Sequence, residues 1–256
     1  MEPDTIYNVS LSVVAGFAFA LLVGAAEVGR RFGAKLAGTG TAKRVEVFEA
    51  SLFGMLSLMI GFTFSLALSR YEARKSVVLD EANSIGTVAL RGRMLPAPHD
   101  TTVRRLVREY ATQRLTLGGA AWGSPERAET IDASLRLQES LWHEAVAVVA
   151  LDTKSVPAGL FADAVNHLYD MHEARVTADR NHVPQSVLLL LDGIAIVAIG
   201  FAGYTGGVAG AHNRWPTVIM VATIVIVITL VMDLDRPRRG LVTVSQQPML
   251  DLIAGL

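Results

Sequence analysis

Four stretches of the chain contain almost only apolar residues and are long enough to cross a membrane. They run from about Val9 to Ala26, Ala50 to Ser69, Pro184 to Gly207 and Trp215 to Leu234. The hydrocarbon core of a bilayer requires roughly 20 such residues in a helix. Because only "VAGAHNR" separates the last two stretches, they are predicted to form an antiparallel helical hairpin.

The second apolar stretch passes into charged sequence without a helix breaker. It continues as "LSRYEARKSVVLDEAN", and after Gly61 the next glycine is Gly86 and the next proline is Pro96. Glycine and proline are the residues that most often end a helix. One unbroken helix is therefore predicted from about Val45 to Arg91.

The polar block between the two apolar pairs is also predicted to be helical. Apolar residues recur at helical spacing between 101 and 117, where Asp100 is a plausible N-cap. Ser124 is predicted to cap the helix that begins at Pro125, and another helix is predicted from about Pro157 to Asp179.

These patterns predict an all-α membrane protein. Four transmembrane helices form two pairs, and a helical soluble insertion lies between the second and the third. The predicted parts are a first transmembrane pair in 1–69, the insertion in 70–183, a second transmembrane hairpin in 184–234 and a C-terminal tail in 235–256.

Composition supports the membrane assignment and excludes several function classes. The chain is 51% hydrophobic and 18% charged, with mean hydropathy +0.39. A net charge of -1 gives no reason to expect nucleic acid as a partner, and the absence of cysteine excludes thiolate metal sites and cysteine nucleophiles. His167 and His172 are five residues apart, so they point in different directions on a helix and predict no metal site. No phosphate-binding loop, nucleophile elbow or paired catalytic carboxylates appear, so neither catalysis nor a cofactor is predicted.

Two ridges of residues run along the helix predicted for the second apolar stretch. Residues at every fourth position form a ridge that includes bulky side chains, and the neighbouring ridge is made of small residues. The first ridge is Gly54, Leu58, Phe62 and Leu66, and the second is Ser57, Gly61, Ser65 and Ser69. Small residues let membrane helices pack closely, and a bulky ridge beside them can face a pore. The bulky side chains can equally face lipid or another helix, so both interpretations stay open.

Charged residues in and beside the apolar stretches are further candidates. Asp192 lies inside the third stretch, where a carboxylate normally faces protein or water, so it is either a proton or ion relay or a hydrogen-bonding group. The cluster of Arg236, Arg238 and Arg239 follows the fourth stretch and is predicted to bind lipid headgroups. Basic residues lie on both sides of the predicted membrane layer, so charge alone does not fix the orientation.

The sequence "GFTFSLALSRYEARK" resembles the second transmembrane helix of the bestrophins, which are pentameric anion channels. In that helix a Gly-Phe pair is followed, eight residues after the Phe, by an Arg at the membrane exit, and Phe62 and Arg70 keep this spacing. Tyr71 and Glu72 depart from the pattern, because bestrophins have two tryptophans there. With "LDEANSIGT" and "DLDRPRRG", the whole chain is similar to a bacterial bestrophin-like domain family.

The resemblance implies a function and an environment. It implies that the protein is a homo-oligomer, as the bestrophin channels are pentamers. It also implies a multi-pass protein of the bacterial inner (plasma) membrane. Both termini and residues 70–183 would lie in the cytoplasm. The ridge from Gly54 to Leu66 would form a hydrophobic neck, below which Arg70, Arg74 and Lys75 attract anions such as chloride. Nothing between Asp235 and Leu256 resembles the acidic calcium clasp of animal bestrophins.

The expected function is therefore an oligomeric membrane ion channel or pore that conducts anions. Its partners would be membrane lipid, inorganic ions and further copies of the chain. The alternative is a non-conducting membrane scaffold or sensor whose helical insertion binds a partner protein.

Overall fold

The computed structural model describes residues 9–36, 42–120, 123–211, 213–236 and 240–256, apart from the side chains of 42–46. All regular secondary structure in these residues is helical, which confirms the predicted all-α class. The eight described helices are α1 (Leu11–Ala34), α2 (Ala42–Gly92), α3 (His99–Gly119), α4 (Pro125–Leu151), α5 (Val156–Arg180), α6 (Gln185–Val208), α7 (Trp215–Asp235) and α8 (Gln247–Gly255).

The long helix predicted to leave the membrane unbroken is confirmed. α2 contains 51 residues, and its bounds lie within a few residues of the predicted Val45 and Arg91. Gly54, Gly61 and Gly86 do not interrupt it. Without proline, the backbone hydrogen bonds continue from the apolar half into the charged half.

Two of the shorter helices begin at a serine cap. The Ser124 hydroxyl accepts a hydrogen bond from the Arg127 N–H at 3.2 Å, as predicted, and Ser155 caps α5 through the Ala158 N–H at 3.3 Å. The predicted Asp100 cap is wrong, because α3 begins at His99, two residues before the start that this cap implies, and Pro98 holds the N-cap position. Asp100 lies instead in the first turn, where a carboxylate is favoured by the helix dipole.

The chain divides into two compact units. Unit 1 consists of residues 1–70 and 182–242. α1, α6, α7 and the N-terminal half of α2 have the length and apolar composition needed to cross a membrane. Side chains from all four helices form the core of unit 1, among them Leu22, Leu56, Leu191, Ile199 and Val221.

Unit 2 consists of residues 71–181 and 243–256. The C-terminal part of α2 packs with α3, α4 and α5 around a separate core that includes Ile85, Val107, Leu141 and Phe161. α8, in the predicted C-terminal tail, contributes the fully buried Met249 to this core.

Candidate functional site

One face of α2 in unit 1 is left uncovered by the described residues of its own chain. Leu56, Thr63 and Ala67 are at most 2% exposed, so they define the covered face. The ridge predicted to form a neck lies on the opposite side, where Leu58 and Phe62 are 57% and 59% exposed. Gly54 and Leu66 are exposed as well. The uncovered face of a helix that is apolar on this side must meet lipid, a pore or another subunit.

The ridge of small residues lies on the same uncovered face. Ser57, Gly61, Ser65 and Ser69 are all exposed. A Cβ atom added to Gly61 would meet nothing within 4 Å among the described residues. Among the described residues, this ridge is therefore open on its outer side, and its role in helix packing stays a prediction.

Close helix packing inside unit 1 involves other glycines, which were not among the predicted site residues. α1 and α6 run parallel, with Gly29 against Gly200 and Gly33 against Tyr204. From the opposite side, Gly203 and Gly207 of α6 meet the backbone of α1. The sequence contains a pattern that indicates this contact, because both helices carry glycines four residues apart. This spacing is typical of closely packed membrane helices.

The three basic residues that follow the apolar part of α2 have different surroundings. Arg74 is only 2% exposed and donates a hydrogen bond to the Asn181 carbonyl oxygen at 3.4 Å. Arg70 is half-buried, and Lys75 is exposed with Glu72 on the same helix. Arg74 is therefore not a free surface cation, and only Arg70 and Lys75 have charged groups that can reach an ion in solution.

The carboxylate predicted inside the third apolar stretch lies on an uncovered part of α6. Asp192 and the adjacent Gly193 are both exposed. A Cβ on Gly193 would meet nothing within 4 Å among the described residues. Both interpretations of Asp192, as a relay and as a hydrogen-bonding group, stay predictions.

The basic cluster after α7 is described only in part. Arg236 is 5% exposed, so its guanidinium is surrounded by protein in this chain, whereas Arg238 and Arg239 lie outside the described residues. The buried carboxylates nearby bind backbone amides: Asp235 accepts from the Val183 N–H at 3.0 Å and Asp233 from the Val242 N–H at 2.9 Å. These contacts hold the segment that precedes α6 and the segment that follows α7 against the C-terminal end of α7.

A buried ionic cluster in unit 2 was not predicted. Glu81 of α2 accepts hydrogen bonds from Arg114 of α3 and Arg175 of α5, through one carboxylate oxygen each. The Arg114 Nε lies 2.5 Å from the Glu81 Oε1. All three side chains are at most 1% exposed. Three helices therefore meet at charges that are removed from water.

Neutral polar groups complete the buried ionic cluster. The Tyr110 hydroxyl lies 3.4 Å from Glu81 and 3.2 Å from the Nδ1 of His172, and Gln138 donates to it at 3.3 Å. Arg175 also donates to the Gln246 Oε1 at 2.8 Å. α2, α3, α4 and α5 each contribute at least one residue to the cluster, and Gln246 contributes from the position before α8.

Burial determines the protonation states of the neutral groups. Burial raises the pKa of Tyr110, so its phenol stays protonated. Burial, together with the nearby positive charges of Arg114 and Arg175, lowers the pKa of His172 to about 4. His172 is therefore neutral at neutral pH. His172 is buried and His167 is exposed, so the two side chains point in different directions from the same helix, as their spacing predicts.

Comparison with known proteins identifies the family. A family model described as the Bestrophin-like domain matches residues 15–249. The fold is similar to the crystal structure of a bacterial bestrophin homologue from Klebsiella pneumoniae carrying a tryptophan-to-alanine substitution. That match has a TM-score of 0.66 at 15% sequence identity and covers 96% of this chain and 99% of the other. No curated protein matches this chain.

The family match spans all four apolar helices and the helical insertion between them, so the covered region includes both the uncovered face of α2 and the buried ionic cluster. The chain is a membrane protein that belongs to the bestrophin-like domain family.

Proposed function

We propose that the protein is an oligomeric ion channel in which the exposed ridge of α2 lines the ion pathway. The observation that carries this proposal is the burial pattern of α2, where Thr63 is fully buried while Phe62 beside it is 59% exposed. Copies of the chain arranged around an axis would bring the Leu58, Phe62 and Leu66 side chains of each copy together. A ring of such side chains forms a dry constriction that ions cross only when it widens and fills with water.

The ridge of small residues supports assembly from several copies. Ser57, Gly61 and Ser65 lie beside the neck ridge on the same uncovered face. Small side chains allow a neighbouring helix to approach closely. The family suggests five copies, and native mass spectrometry of the detergent-solubilised protein measures the number directly.

We also propose that the pathway prefers anions. Arg70 at the end of the apolar half of α2 and the exposed Lys75 supply the positive charge. Glu72 is exposed on the same helix and opposes this preference. Reversal potentials recorded in a chloride gradient measure the relative permeability to anions and cations. A reversal potential close to the equilibrium potential of the cation would contradict anion selectivity.

The orientation that we propose follows the family resemblance. Both chain termini and the helical insertion would lie in the cytoplasm, with the α6–α7 connection outside. The membrane would be the bacterial inner membrane.

Planar-bilayer recording of the purified protein tests the proposed function. A channel produces discrete current steps whose size scales with salt concentration. Silent bilayers that contain verified, folded oligomer would instead support the scaffold or sensor interpretation.

A further inference from the structure

The buried ionic cluster carries more positive charge than its carboxylate neutralises. Arg114 and Arg175 contribute two positive charges and Glu81 one negative charge. Tyr110 and His172 are neutral for the reasons given above. The cluster therefore has a formal charge of one positive unit on side chains that are at most 1% exposed, which is costly unless a counter-charge is present.

The free hydrogen-bond donors of the cluster lie on the same arginines. The Arg114 Nε is satisfied by Glu81, but its two terminal nitrogens, Nη1 and Nη2, have no hydrogen-bond partner among the described residues. The Nε of Arg175 has none either. Glu81 accepts from the Arg114 Nε through one oxygen and from Arg175 through the other, but it makes no hydrogen bond to the three remaining guanidinium nitrogens.

We propose that a monovalent inorganic anion binds at the terminal nitrogens of Arg114, inside the helical bundle of unit 2. One negative charge balances the formal surplus, and an anion accepts the N–H groups that protein acceptors leave unpaired. The positive charge of the guanidinium favours an anion over a neutral acceptor, and its planar shape holds the donors in fixed positions. The site holds α2, α3 and α5 together, and it does not depend on ion conduction along α2.

The proposed anion stabilises the folded state, so its concentration determines thermal stability. Full-length protein in detergent is unfolded by heat at neutral pH while sodium chloride replaces sodium gluconate at constant ionic strength. Above the dissociation constant, each tenfold rise in chloride increases the Tm by the same increment. Arg114→Gln removes this dependence. The matched control Arg105→Gln retains it, because Arg105 is exposed on the same helix.

Two results in this assay contradict the proposal. The first is a wild-type Tm that does not change with chloride. The second is a chloride dependence that survives unchanged in Arg114→Gln, because the anion then binds elsewhere.

A direct measurement decides the case in which Arg114→Gln does not fold. Crystals of the wild-type protein in sodium bromide are expected to show an anomalous difference peak within hydrogen-bonding distance of the Arg114 Nη1 or Nη2. Density at that position without anomalous signal means that water satisfies the guanidinium, and this result overturns the proposal.

Discussion

Gly203 of α6 lies so close to Ala26 of α1 that a Cβ atom on Gly203 would overlap the Ala26 carbonyl oxygen. Gly29 of α1 has the same relationship with the carbonyl oxygen of Gly200. Lipid does not drive helices together as water does, so membrane helices depend on this kind of close backbone contact. The two helices can keep their separation only while neither position carries a side chain.

Gly203→Ala is expected to destabilise unit 1. The added methyl group must push α6 away from α1, and overpacking of this kind costs about 1–3 kcal/mol. The measurement is reversible unfolding in detergent. Gly206→Ala is the control, because a Cβ there meets nothing within 4 Å among the described residues. Equal stability of the two variants would contradict the packing described for α1 and α6.

Glu81→Gln is expected to lower the free energy of unfolding far more than the loss of an exposed carboxylate does. The substitution leaves two buried arginines without their shared carboxylate, and breaking a buried ion pair costs about 3–5 kcal/mol. Asp163→Asn is the matched control, because the Asp163 side chain is 74% exposed where it meets Arg91. Loss of such an exposed pair costs about 0–1 kcal/mol. Similar unfolding free energies for both variants would mean that Glu81 is not buried as described.

His172 is expected to make stability depend on pH. Its pKa of about 4 in the folded protein lies below the ordinary value of 6.5, so the unfolded chain binds more protons between these two values. The free energy of unfolding therefore falls as the pH is lowered from about 6.5 towards 4. His172→Gln should flatten this part of the profile, whereas His167→Gln, at an exposed position, should not. An unchanged profile in His172→Gln would show that other groups cause the acid sensitivity.

The sequence predicted local features of the fold well, but it did not predict contacts between distant residues. The unbroken α2 follows from the spacing of glycine and proline, and Ser124 was identified as a cap because capping involves neighbouring residues. The buried ionic cluster joins Glu81 to residues 33 and 94 positions away, and no local pattern indicates that pairing. For the same reason Arg74 resembled a free cation until the fold showed it to be buried.

The proposed orientation predicts which positions an impermeant thiol reagent reaches. The chain has no native cysteine, so any labelling by the reagent comes from the single introduced cysteine. Thr153→Cys lies at an exposed position between α4 and α5, and Ala209→Cys is exposed at the end of α6. In intact cells the reagent should label Ala209→Cys and leave Thr153→Cys unlabelled until the cells are opened. The reverse pattern would place the helical insertion outside.

If the exposed ridge of α2 forms the neck of an ion pathway, the conductance of Phe62→Ala must differ from that of the wild-type protein. The phenyl ring is 59% exposed on its own chain, so its truncation widens a neck with little effect on the fold. Leu189→Ala is the control, because Leu189 is an exposed apolar residue of α6, away from the ridge. Both variants are recorded in planar bilayers beside a thermal-unfolding assay. We expect a higher basal conductance for Phe62→Ala alone, with the oligomer intact. A silent and destabilised Phe62→Ala protein, with the loss of about 3–5 kcal/mol that follows truncation of a fully buried phenylalanine, would contradict it.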